Sequence, residues 1–180
     1  ISAVDIKTGE LLWQIPTQSS LIYEDSFFLK TSEIVSDQKS LYLSNNKNEF
    51  FSIDINSGTT NWIQEINSNL LPILVENYIF SITLEGYFTI IDKYSGNIIR
   101  STDIFTNFKP KKRKKIEPTG FIVGNKNIYI TTDNGKLLVV DIVTGTNFDL
   151  IKIDNDTISR PSILNQSLYI IKNNSIIKMD

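Results

Sequence analysis

The sequence predicts an all-β fold, a β-propeller of four-stranded antiparallel blades, on three observations. A motif recurs, an apolar run ending in Asp, then three residues, then Gly: Val4-Asp5-Ile6-Lys7-Thr8-Gly9, Ile53-Asp54-Ile55-Asn56-Ser57-Gly58, Ile91-Asp92-Lys93-Tyr94-Ser95-Gly96 and Val140-Asp141-Ile142-Val143-Thr144-Gly145. The Asp-to-Asp intervals are 49, 38 and 49 residues, and a further 39 lead to Asp180 at the end of Ile176-Ile177-Lys178-Met179; one four-stranded blade takes roughly 40 to 50. No segment sustains the 3.6-residue period of an amphipathic helix, so almost no helix is expected.

Each copy of the motif reads as a hairpin. The Asp carboxylate can accept hydrogen bonds from the N–H groups of the turn that follows it, and the Gly supplies the positive φ that a tight turn requires. The predicted structural positions are Asp5, Gly9 and Trp13, Asp54, Gly58 and Trp62, Asp92 and Gly96, and Asp141 and Gly145. Upstream of each full copy lie β-rich runs with turns of their own. These are Leu41-Tyr42-Leu43 before Asn45-Asn46, Ile79-Phe80-Ser81-Ile82 before Glu85-Gly86, and Ile128-Tyr129-Ile130 before Asp133-Asn134-Gly135. The Asn-rich turns, Asn45-Asn46 and Asn173-Asn174, are explained by the tolerance of Asn for left-handed backbone. A further strand follows each motif, as in Leu11-Leu12-Trp13 and Asn61-Trp62-Ile63. The reading is a single partial propeller domain over residues 1–180, with three full blades and two partial ones. Blade segments fall at about 1–15, 34–66, 70–104, 117–153 and 158–180, with long connections at about 16–33 and 105–116. The last blade has three strands, and a strand from elsewhere in the parent is expected to complete it. Ile1-Ser2-Ala3-Val4 reads as the middle of a strand, so any targeting segment is expected upstream, and Asp180 as the natural terminus.

Trp13 and Trp62 each stand eight residues after a motif Asp, where Arg100 and Asp149 stand in the next two copies. An aromatic packed between neighbouring blades is the main reading, a ligand-stacking Trp the alternative.

Composition removes whole chemistries. With neither Cys nor His, thiol nucleophiles, disulfides, histidine bases and the usual zinc ligand sets have no residues to work with. Ile, Asn and Lys make up 63 of the 180 residues, and Lys outnumbers Arg 15 to 3, a general bias against which single Asn and Lys residues carry little meaning. The four motif Asp residues recur at one position, so turn capping explains them together and a catalytic role is not assigned.

The stretch Ala3-Val4-Asp5-Ile6-Lys7-Thr8-Gly9-Glu10-Leu11-Leu12-Trp13 resembles the repeat of the PQQ-like propeller family, in which a Leu-Tyr-Ala-Leu-Asp run leads through Thr-Gly to a Trp. Within that group the chain is most similar to the C-terminal half of the outer-membrane protein assembly factor BamB family. The alternating long and short repeat intervals, the long connections and the final run Arg160-Pro161-Ser162-Ile163-Leu164, Leu168-Tyr169-Ile170-Ile171 and Ser175 to Asp180 carry that likeness. The resemblance implies an eight-bladed parent, a periplasmic lipoprotein of the outer membrane. By the same resemblance, its partners would be the barrel-forming BamA subunit and unfolded outer-membrane proteins, with no cofactor and no enzymatic activity. Other members of the repeat family are quinoprotein dehydrogenases, which hold PQQ and calcium on the axis, and sensor domains of membrane kinases. The vicinal cysteine pair common in the former is not present here, and the end of the chain in a propeller strand disfavours the latter.

Two segments stand out as candidate surfaces. Lys109-Pro110-Lys111-Lys112-Arg113-Lys114-Lys115 puts six cations in seven residues. Of the 18 basic residues 12 lie outside it, against 20 acidic ones, so the remainder of the chain carries −8. A solvated connection is the commoner reading of such a run. Docking to an acidic protein surface or to anionic lipid headgroups, through Lys111, Lys112, Arg113, Lys114 and Lys115, is the functional one. Nucleic acid is disfavoured by the acidic pI, about 5.2, and by the lack of interleaved aromatics. The second segment, Leu21 to Leu29, alternates aromatic and acidic residues and offers Tyr23, Phe27 and Phe28 either as partner anchors or as side chains tucked under a neighbouring blade.

Overall fold

Along the central strands of each repeat, successive apolar side chains point to opposite faces, and both faces are buried. A strand of this kind must lie in a sheet covered on two sides, which is what stacking blades side by side provides. A computed structural model describes residues 1–17 and 28–179. Strands β1 (Ser2–Val4) and β2 (Leu11–Gln14) form a hairpin. Three four-stranded antiparallel sheets follow among the described residues, each in sequence order. They comprise β3 (Val35–Ser36), β4 (Ser40–Asn45), β5 (Glu49–Asp54) and β6 (Thr60–Gln64); then β7 (Ile73–Val75), β8 (Tyr78–Ile82), β9 (Tyr87–Asp92) and β10 (Ile98–Asp103); then β11 (Pro118–Val123), β12 (Asn127–Thr132), β13 (Lys136–Asp141) and β14 (Asn147–Lys152). A three-stranded sheet of β15 (Ser162–Leu164), β16 (Ser167–Lys172) and β17 (Ser175–Met179) ends the described chain. The fold is a partial β-propeller, with one helical turn, α1 (Pro110–Arg113), in the second long connection.

The core is divided among the spaces between neighbouring sheets. Leu43, Phe51 and Ile53 face the β1–β2 hairpin, with Trp13 against them. Tyr42 and Phe50, on the other face of the same strands, meet Ile79 and Ile91 of the next sheet. Phe80, Ile82 and Phe88 meet Phe121, Ile128, Ile130, Leu138 and Val140 across the following space. Leu137 meets Leu168 and Ile170 across the last. Each such side chain contributes on the order of 1.5–3 kcal/mol by burial, so the stability of each sheet is tied to its neighbours.

The motif hairpins share one geometry. In the β5–β6 hairpin Gly58 donates its N–H to the Asp54 carbonyl at 3.0 Å, while Asp54 Oδ1 accepts from Asn56 N at 3.0 Å, Ser57 N at 2.8 Å and Ser57 Oγ at 2.9 Å. Asp92 and Asp141 do the same with Tyr94 and Ser95, and with Val143 and Thr144; Asp5 accepts from the N–H groups of Lys7 and Thr8. The four Gly residues have φ between 72° and 74°. Two other turns differ in how they meet the same need. Asn173 and Asn174 have the expected left-handed backbone, with φ of 45° and 61°. Asn45 does not: its Oδ1 accepts from Lys47 N and Glu49 N, which holds Asn45 in the strand and moves the positive φ, 62°, to Asn48.

These turns predict an acid limb in stability. Hydrogen bonds from the backbone N–H of Thr8, Ser57, Ser95 and Thr144, each followed by further bonds within its turn, hold Asp5, Asp54, Asp92 and Asp141 below the ordinary carboxylate value of 3.8. A carboxylate lowered on folding adds stability above its unfolded pKa and loses it as pH falls through the folded one. The urea midpoint is therefore expected to be level from neutral pH to about 5 and to fall below about 4. Replacing the four Asp residues with Asn should flatten that fall, and an unchanged acid limb in the variant would show that the turns do not cause it.

Candidate docking face around the basic connection

The residue eight places after each of the first three motif Asp residues joins one blade to the next. Trp13 Nε1 donates to the carbonyl of Ile55 at 3.1 Å, and Trp62 Nε1 to that of Lys93 at 3.2 Å. Both acceptors are the residue just after the motif Asp of the following sheet. The Trp62 ring stacks on Phe50 at 5.9 Å, and a side chain added at Gly96 would meet it at 2.6 Å. Arg100 occupies the same place and reproduces the ring contact and the carbonyl hydrogen bond by other means, while the contact with the following motif glycine, Gly145, passes to Thr102. Its guanidinium lies 5.4 Å from the Phe88 ring, Nη2 donates to Ile142 O at 2.6 Å, and Nη1 donates to Val143 O. Phe88 stands four residues before Asp92, as Phe50 stands before Asp54. The apparent break in the repeat at Arg100 is thus a substitution of one flat donor for another. It leaves Arg100 Nε buried without an acceptor. Asp149 offers no donor and is exposed.

The basic segment is anchored from below by its apolar neighbours. Ile104, Phe105, Phe108 and Ile116 are buried in the core between the second and third sheets, with Phe105 and Phe108 edge to face at 5.3 Å. Pro110 begins α1, where its fixed φ suits the first turn and its missing N–H costs nothing. The Lys109 carbonyl accepts from Lys112 N at 2.8 Å and Arg113 N at 2.9 Å, and the chain continues in the same sense until Ile116 N reaches Arg113 O.

This winding sorts the cations. Lys109, Lys111, Lys112, Lys114 and Lys115 are exposed, while Arg113 turns inward and is half-buried. Arg113 Nη1 pairs with Asp103 Oδ2 at 2.5 Å, Nη2 donates to Glu85 O at 3.3 Å, and the guanidinium lies 5.6 Å from the Tyr87 ring. Hydrogen bonding to Asp103 raises the Arg113 pKa further above its ordinary value. Arg113 is therefore a strut that ties the connection to the β8–β9 turn and the end of β10. The sequence reading grouped it with the docking lysines, and its neighbours in the fold assign it this internal contact.

Beside the connection lies an open cleft of about 890 Å³, which Lys114 alone of the five exposed lysines lines. Leu84, Tyr87, Phe108 and Ile116 give it apolar walls, and Lys114 and Glu117 stand among its rim residues. Of the aromatic candidates in the other long connection, Phe28 is exposed (75%), its carbonyl accepting from Asn46 Nδ2. Tyr23 and Phe27 lie outside the described residues. Among the described residues no three acidic side chains converge to hold a metal ion, and the motif carboxylates are engaged in their own exposed turns.

Comparison with known proteins places this geometry. The model of the family described as outer membrane protein assembly factor BamB matches residues 1–102. Among solved structures, BamB from Moraxella catarrhalis superposes with a TM-score of 0.65 at 12% identity, over 82% of this chain and 41% of that one. The β-propeller domain of Cps50 (Swd1) from Myceliophteria thermophila gives 0.66 at 12% identity, over 94% of this chain and 55% of that one. The WD40 domain of Neurospora crassa Pan2 gives 0.58 at 12% identity, over 82% and 45%. At such identities the likeness is one of fold, and this chain spans less than half of the Moraxella chain. No curated protein sequence matches it.

Proposed function

The chain belongs to the family of the outer membrane protein assembly factor BamB, and from that membership we propose that it forms part of a non-enzymatic, protein-binding scaffold at the periplasmic face of the outer membrane. The family match carries the reading. Two features of the chain support it. Buried side chains of the protein itself pack between neighbouring sheets, as a rigid platform requires. The charged, concave surface lies on a connection between blades, where sequence can vary without disturbing the sheets. By family resemblance the partner is the barrel-forming BamA subunit, with unfolded outer-membrane proteins as the cargo of the machinery. The parent would then be a lipoprotein anchored in the outer membrane.

Surface plasmon resonance of the full-length protein over the immobilised periplasmic part of its cognate BamA tests this. Saturable binding with a Kd of about micromolar or tighter is expected, the range of specific domain contacts. The competing quinoprotein reading is tested on the same preparation by calorimetric titration with PQQ and calcium, for which no heat of binding is expected. Micromolar affinity for PQQ, or no binding to BamA at concentrations well above that range, would overturn the scaffold reading.

A further inference from the structure

We infer that the cleft beside the basic connection receives an acidic peptide segment of a protein partner, with one apolar side chain seated against Phe108 and Ile116 and its carboxylates facing Lys109, Lys111, Lys112, Lys114 and Lys115. The inference deepens the scaffold reading and rests on it.

Charge points to the kind of occupant. The five exposed lysines lie within seven consecutive residues wound about one helical turn, a span of about one Debye length at physiological salt. Elsewhere the chain is acidic, −8 without the basic run. A carboxylate-rich segment is therefore drawn to this place on the molecule and repelled from most others.

Shape separates a peptide from a lipid surface. The apolar side chains of the connection, Ile104, Phe105, Phe108 and Ile116, turn into the core. The segment from Lys109 to Lys115 accordingly presents nothing to enter an acyl layer, as an amphipathic membrane segment would. Phe108 and Ile116, 8% and 5% exposed, show only an edge to the cleft, where a single side chain can reach them and a flat bilayer cannot. Glu85, Asp103 and Glu117, which also line the cleft, oppose any anionic group brought into it, so an apolar side chain of the peptide enters while its carboxylates stay outside, over the lysines. The Arg113 contacts with Asp103 and Glu85 keep this wall in place before any partner arrives, which lowers the ordering cost of binding.

The test uses the full-length protein with two probes, a fluorescent peptide of about ten residues alternating glutamate and leucine, and vesicles of phosphatidylglycerol and phosphatidylcholine. Two variants separate charge from shape. Lys111→Ser/Lys112→Ser/Lys114→Ser/Lys115→Ser removes charge, and Thr106→Trp, at an exposed residue lining the cleft, fills its mouth without changing charge. The peptide is expected to bind the parent, with affinity falling as salt rises. Affinity should weaken about tenfold or more in the lysine variant, chiefly through the association rate, and by a similar factor in Thr106→Trp, chiefly through dissociation. Both variants should melt within about 2 °C of the parent, as surface changes do. Peptide binding that ignores Thr106→Trp would overturn the cleft as the seat. Vesicle binding that is lost in the lysine variant, with no peptide binding in the parent, would assign the lysines to a lipid surface. If BamA binds the parent and both variants equally, the inference fails while the scaffold reading stands; if BamA does not bind the parent, the scaffold reading fails first.

Discussion

Gly58→Val is expected to destabilise the full-length protein by roughly 2 to 6 kcal/mol, of which about 1–3 comes from the backbone and about 1–3 from overpacking. The backbone part arises because Gly58 has φ of 73°, a conformation that a β-branched residue adopts only under strain. The packing part arises because a Cβ at this position would lie 2.7 Å from Cδ2 of Trp13, and the ring cannot retreat without losing its hydrogen bond to Ile55 O. A double-mutant cycle separates the two. In a Trp13→Ala background the ring is gone, and Gly58→Val should cost only the backbone part, about 1–3 kcal/mol. Urea midpoints of the four proteins measure it. An equal cost in both backgrounds would mean that Trp13 does not pack on Gly58.

Phe105→Ala is expected to cost about 3–5 kcal/mol, the range for a buried aromatic, although it lies in a connection where substitutions are usually tolerated. Phe105 is fully buried, packs edge to face on Phe108, and lies so close over Gly86 that a side chain there could not be accommodated. The neighbouring Thr106→Ala, at an exposed residue, should change stability by no more than about 0.5 kcal/mol. The pair distinguishes an anchored connection from a solvated one. Equal small effects would return residues 105–116 to the latter. Because the cleft wall hangs on the same ring, Phe105→Ala should also weaken binding of acidic peptide even at temperatures where the variant remains folded.

Much of the architecture was legible because a propeller repeats its solution. Asp92 and Asp141 perform the same turn as Asp54, so three weak local signals at blade-length intervals of 38 and 49 residues add to one strong one. That the strand at Leu41-Tyr42-Leu43 is buried on both faces came only from the fold, in which Leu43 meets the β1–β2 hairpin and Tyr42 the sheet that follows. The latch at Arg100 was less visible, although Phe88 and Phe50, each four residues before a motif Asp, were a usable signal. Pattern matching compares residue types, whereas the interface selects a flat donor over a phenyl ring, a role that indole and guanidinium share.

By itself, then, the sequence determined the all-β propeller class, the motif turns with their carboxylates and glycines, and the position of the charge cluster. The turns and the charge cluster depend on residues within a few places of one another, where spacing alone decides which groups can meet, and the propeller class on the recurrence of the turn at blade-length intervals. Only the tertiary structure decided that Arg113 faces inward while five lysines face solvent, and that Phe108 and Ile116 line a cleft beside the connection. In a run of six cations every side chain looks alike until Asp103, Glu85 and Tyr87 are brought beside one of them. That selection comes from the return of the β8–β9 turn and the end of β10 to the start of the connection, contacts between residues 10 to 28 apart in the chain.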